Sequence, residues 1–142
     1  MYKPKYFTSQ EFVSRSIHEK RGDRSFELMD QRILITADRL RVAFGPLICN
    51  NWHVGGSRGS SGLRVPDSSY YRRTSQHTFG RAIDLISPTL SAQEMREYIL
   101  NHADYFPHIT FIEDEVTWLH VDCRNCQPIS VWSPSRNEII VY

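Results

Sequence analysis

The chain has 142 residues, 40% of them apolar and 12% aromatic, which is enough for one domain with its own core. Its 17 basic and 16 acidic residues leave a formal charge of +1, so the balance points neither to nucleic acid nor to an anionic membrane surface. No run approaches the roughly 18 apolar residues of a spanning helix. The opening MYKPKYFTSQEF has no apolar stretch behind its basic residues, so neither a secretory signal peptide nor membrane insertion is expected.

In chain order, Thr8-Ser9-Gln10-Glu11 has capping-box spacing, which predicts a short helix from about Ser9. Met29, Ile33, Ala37, Leu40 and Phe44 recur at helical spacing and predict a helix from about Ser25 to Phe44, stopped by Gly45-Pro46. Leu47 to Trp52 reads as a short buried strand. Residues 54–73, VGGSRGSSGLRVPDSSYYRR, form a long Gly- and Ser-rich loop, and ordered loops of that length tend to carry function.

Ala82 to Ile86 reads as a buried strand with one carboxylate set in it. Ser91-Ala92-Gln93-Glu94 is a second capping box, opening a helix to about Asn101. His108 to Glu113 and Val116 to Val121 alternate as strands, and Ile129 to Trp132 pairs with Glu138 to Val141 in a terminal hairpin. The expected fold is α+β over a single domain, residues 1–142, with helices packed on a small, mostly antiparallel sheet.

The three cysteines, Cys49, Cys123 and Cys126, are an odd set for a closed disulfide framework. Cys123-x-x-Cys126 lacks the second half of a zinc ribbon and reads as two ordinary thiols in a turn.

Asp84 is the sharpest chemical feature. A carboxylate among Ala82, Ile83, Leu85 and Ile86 needs a basic side chain or a metal beside it, because an unpaired buried charge costs several kcal/mol. His77 stands seven residues upstream, across Gly80, which permits a tight bend. A second imidazole, His120, sits in the apolar run Thr117-Trp118-Leu119-His120-Val121-Asp122. A lone strand histidine is more often a hydrogen-bonded core residue. Two histidines and an aspartate are also the three protein donors of a catalytic zinc site, which keeps one position open. Zinc there lowers the pKa of its water to about 7 and polarises a carbonyl.

The segment S-x-H-x-x-G-x-A-x-D (Ser75, His77, Gly80, Ala82, Asp84), followed by W-x-H-x-D (Trp118, His120, Asp122), resembles the signature of a zinc peptidase family. That family comprises the D-Ala-D-Ala carboxypeptidases and L-Ala-D-Glu endopeptidases, with phage endolysins among its members, and the hedgehog signalling domain shares its fold. The opening FTSQEFVS is similar to the start of compact phage-type members. The resemblance implies one zinc ion per chain at the sheet face, held by His77, Asp84 and His120. It implies hydrolysis of a bond in the peptide stem of bacterial peptidoglycan, by a monomer that stays cytoplasmic until released to the cell wall in phage lysis, or that travels in a virion.

Two positions depart from that pattern. Many members carry the acidic general base three residues before the last ligand, where this chain has Thr117. Glu113 and Glu115 are the nearby substitutes, with Glu115 slightly preferred because it is closer in sequence to His120. Members also use an arginine ahead of the first ligand to hold a substrate carboxylate or polarise its carbonyl. SGLRVP points to Arg64, and expansion of the loop leaves Arg58 open. Ser75 is expected to orient the loop or a ligand, Trp118 to touch substrate, and Asp122 or Gln76 to steady the ligands from behind. The alternative to an enzyme is a catalytically impaired zinc-binding module that recognises cell-wall peptide or serves a phage structural role.

Overall fold

The computed structural model describes residues 1–126 and 128–142. Its helices are α1 (Arg15–Arg21), α2 (Gln31–Phe44) and α3 (Ala92–Asn101), and its strands are β1 (Ala82–Leu85), β2 (Phe111–Glu113), β3 (Leu119–Asp122), β4 (Ser130–Ser133) and β5 (Glu138–Val141). The strands form one five-stranded sheet in the order β1-β3-β2-β4-β5. All neighbours are antiparallel except β2 and β4. The α+β class and the mostly antiparallel sheet are therefore as expected. None of the described helices is long and apolar enough to cross a membrane.

Helix α2 starts later than expected. Asp30 is its N-cap, accepting a hydrogen bond from Arg32 N at 2.9 Å, and Gly22–Leu28 forms a 3-10 segment instead. Met29 still reaches the core, because extended backbone at Met29 and Asp30 turns the chain between the two helical pieces. Helix α3 opens on the expected box, Ser91 N donating to the Glu94 carboxylate at 2.7 Å. The first box closes only a 3-10 turn, Ser9–Glu11, and α1 follows it.

The strand expected over Leu47 to Trp52 is not there. Ile48 pairs with Ile86 in an isolated bridge, and Trp52–Val54 coils into a 3-10 turn. The cause lies in Asn50 and Asn51, whose side chains compete with strand pairing. Asn50 Oδ1 accepts from Ser61 N at 2.9 Å and its Nδ2 donates to the Val13 carbonyl, while Asn51 Oδ1 accepts from Arg58 N at 2.9 Å. These bonds tie the long loop to Asn50 and Asn51, and Asp84 N donates to the Ser61 carbonyl at 2.8 Å, which sets the loop beside β1.

The sheet has one greasy face and one working face. Ile83, Leu85, Ile112, Leu119, Val121 and Val131 join Ile33, Leu34, Leu40, Met95 and Ile99 of α2 and α3 in a single core. On the other face the register aligns Asp84 with His120, His120 with Glu113, Glu113 with Trp132, and Trp132 with Ile139. Side chains alternate along each strand, so these five residues form one row across the sheet.

Candidate metal centre

His77, Asp84 and His120 converge at the start of that row, all buried, with one potential ligand atom from each lying within 4.8 Å of the others. Asp84 comes from β1 and His120 from β3, directly opposite each other. His77 comes from the 3-10 turn Gln76–Phe79, which Ser75 caps by accepting from His77 N at 3.3 Å. That turn ends at Gly80 with φ +65°, where an added Cβ would lie 2.2 Å from the Leu28 carbonyl oxygen. Glycine is required there on both counts.

The free nitrogen of each imidazole is set by what the other one does. His77 Nδ1 lies 2.8 Å from the Gly62 carbonyl, so it carries the proton and donates. Its Nε2 is buried without a hydrogen-bond partner and faces Asp84 Oδ1 at 3.3 Å. His120 Nε2 faces Asp122 Oδ2 at 3.4 Å, and its Nδ1 lies 2.7 Å from Asp84 Oδ1. His77 Nε2, Asp84 Oδ1 and His120 Nδ1 thus point at one another. An orphaned buried nitrogen beside a carboxylate and a second imidazole is the donor chemistry of a divalent metal site, and these residues could hold such an ion.

A further ring of contacts supports the donors. Asp122 is fully buried and is gripped by the Arg124 guanidinium, whose Nε donates to Oδ1 at 2.9 Å, with Arg124 stacked 3.4 Å over the Phe111 ring. Arg64 Nη2 donates to Asp84 Oδ2 at 2.7 Å and its Nε to the Ser60 carbonyl at 2.8 Å. Arg58 holds two backbone carbonyls, those of Cys49 and Asp84, at 2.8 and 3.0 Å.

Electrostatics follow from this packing. Burial pushes His77 down, and the positive charges of His120 and Arg64 add to that, outweighing Asp84. Burial also opposes the charge on His120, but the carboxylates of Asp122 and Asp84 win and lift it to about 9. Asp84 is held well below the usual carboxylate range, since its two imidazole neighbours outweigh the burial that would raise it.

The donors open into a cleft of about 1040 Å³. Its walls include Ser75, Gln76, Arg58 and Arg64 on the loop side, Glu113 and Trp118 beside His120, and Trp132 and Ile139 on the hairpin. Trp118 Nε1 and Gln76 Oε1 are both buried without a protein partner.

The two candidate acids part company. Glu113, opposite His120, lines the cleft. Glu115 does not: it is exposed and accepts from Ser135 N at 2.7 Å and from the Ser135 hydroxyl, at the turn between β4 and β5. The preference for Glu115 over Glu113 is therefore reversed, because the chain turns at Glu115 with φ +59° and carries that side chain to the hairpin. Thr117 is exposed and is not among the cleft walls. Both arginines anticipated for substrate are committed to the protein, Arg64 to Asp84 and Arg58 to main-chain carbonyls.

Sequence reasoning missed Arg124, Gly62, Trp132 and Ile139. The two-residue alternation of each strand could have placed Trp132 and Ile139 on the working face, whereas the Gly62 carbonyl carries no sequence signal at all. The three thiols are free; burial raises Cys123 to about 11, so it is a poor nucleophile and a poor metal ligand. Comparison with protein-family models, with curated proteins and with solved structures finds no match to this chain.

Proposed function

We propose that the chain is a zinc-dependent peptidase that hydrolyses a peptide-stem bond of bacterial peptidoglycan, as a D-Ala-D-Ala carboxypeptidase or an L-Ala-D-Glu endopeptidase. One observation carries this reading: three buried donors, His77, Asp84 and His120, meet at the floor of an open cleft with a carboxylate, Glu113, next to them on the same sheet face. A structural metal site is closed, whereas a catalytic one faces solvent and substrate. The paired motifs around His77 and His120, similar to those of cell-wall peptidases, supply the substrate class.

Zinc bound there supplies a water of lowered pKa and a Lewis acid for a carbonyl. The protein's own groups do the rest. Asp122, clamped by Arg124, orients the His120 ring, and the Gly62 carbonyl orients His77. Arg64 steadies Asp84 through Oδ2 and leaves Oδ1 toward the imidazoles. Glu113 accepts a proton from the attacking water and returns it to the amine as the C–N bond breaks and a C–O bond forms. Trp118 Nε1 and Gln76 Oε1 offer a donor and an acceptor to the substrate's peptide groups.

The test is incubation of zinc-loaded protein with purified muropeptides, read by mass spectrometry. Loss of a terminal D-Ala, or cleavage after L-Ala, identifies the bond. Glu113→Gln should cut turnover by about 10²- to 10⁴-fold while zinc stays bound, and Glu115→Gln should leave it near wild type. Zinc and muropeptide binding with no product would transfer the chain to the class of recognition modules.

A further inference from the structure

Hydrogen bonds link the free edge of β1 to the long loop. Asp84 N donates to the Ser61 carbonyl at 2.8 Å, and Arg58 joins the Asp84 and Cys49 carbonyls. Trp52 N in turn donates to the Arg58 carbonyl at 3.2 Å, and Trp52 Nε1 donates to the Val13 carbonyl at 2.9 Å. The cleft therefore runs from Ile139 and Trp132 on the hairpin, past Glu113 and the metal donors, to a far wall made by Trp52, Ser14, Ser57 and Arg15.

Four guanidinium groups line this cleft, and three are engaged. Arg64 is bonded to Asp84, Arg124 to Asp122, and Arg58 to two carbonyls. Among the described residues, no carboxylate or carbonyl accepts from Arg15. Its guanidinium carbon instead sits 5.4 Å from the centroid of the Trp52 ring. That ring is fixed by its bond to Val13 and flanked by His18 at 6.0 Å. Arg15 is thus an exposed cation lying over an aromatic ring at the cleft wall, with its fork of donors unspent.

We infer that Arg15 is a specificity-determining residue that takes a carboxylate of the substrate, on the β1 side of the metal donors. A planar fork matches a carboxylate in two parallel bonds, and stacking on Trp52 lowers the entropy lost in making them. Of the four guanidinium groups along the cleft, Arg15 alone keeps its donors for a ligand, because Arg58, Arg64 and Arg124 are bonded within the protein. The direction of the substrate follows: its carboxylate-bearing part lies toward α1, and its other part toward Trp132 and Ile139. This inference rests on the peptidase reading for the identity of the ligand.

The experiment uses two stem pentapeptides, one with free carboxylates and one with those groups converted to carboxamides. They are offered to zinc-loaded wild type, Arg15→Gln and Arg15→Lys. Wild type should favour the acid form by about tenfold or more, through KM and not kcat. Arg15→Gln should treat the two forms alike, and Arg15→Lys should fall between, since an ammonium is a point charge without the fork. Circular dichroism checks that each variant is folded. If wild type cleaves neither peptide, calorimetric affinities of the same pair for the same proteins replace the kinetics, so failure of the peptidase reading does not hide the answer. Undiminished discrimination in Arg15→Gln, or none in wild type, overturns the inference.

Discussion

His120 owes its orientation to Asp122, and Asp122 owes its own to Arg124. Asp122 is fully buried, and burial would raise its carboxyl, but His120 and the Arg124 fork outweigh that and hold it ionised. Asp122→Asn keeps the shape and removes the charge that draws a proton to Nε2. Partners of this kind are worth about 10- to 100-fold in metal affinity. Zinc affinity of Asp122→Asn, measured by competition with a chelating dye, should fall within that range while the circular dichroism spectrum is unchanged. An affinity equal to wild type would mean that the ring is held by packing alone. At this scale the donors were legible because His77, Asp84 and His120 are costly residues in apolar surroundings. Which acid lines the cleft was not, because sequence distance put Glu115 nearer to His120 while the backbone turn at Glu115 sends it to Ser135. Arg15 was equally silent, since nothing in RSIHEK tells that Trp52 lies under it.

Among the elements, α2 anchors the core, and its first turn depends on Asp30. That carboxylate accepts from Arg32 N, pairs with the Arg32 guanidinium at 2.7 Å and lies 3.6 Å from Arg81 Nε. The Arg32 bonds, with the charge of Arg81, hold Asp30 below its ordinary value of 3.8, against a smaller effect of burial. A lowered native pKa contributes stability that is present above the unfolded value and lost as pH falls below it. Asp30→Ala should therefore cost about 1 kcal/mol at pH 7, and the gap to wild type should narrow below about pH 4. Urea melts at both pH values check this, and a gap independent of pH would leave only the neutral cap. Elements with clean periodicity, such as α3 and the hairpin, were readable from spacing. Leu47 to Trp52 looked like a strand because its apolar run ignores what Asn50 and Asn51 can bond. The late start of α2 depended on a cap whose partner, Arg32, lies inside the helix.

For the whole molecule, the three side chains that could hold an ion join β1, β3 and the turn that carries His77, segments far apart in the chain. An ion bound by the folded chain and not by the unfolded one stabilises by mass action, about 2.7 kcal/mol at a hundredfold excess over Kd. Chelator-treated protein should melt roughly 5–10 °C below the zinc-loaded form, and His77→Ala should show no such response. A melting temperature indifferent to zinc would leave the three side chains as an ordinary buried network. The sheet itself adds a dimension that no single residue has. Its aligned row from Asp84 to Ile139 takes four strand steps, about 19 Å at roughly 4.8 Å each. An extended peptide laid along it would need about six residues at roughly 3.3 Å apiece to reach the far end. A ligand shorter than that span, lying over Asp84 and His120, would leave Trp132 and Ile139 uncovered.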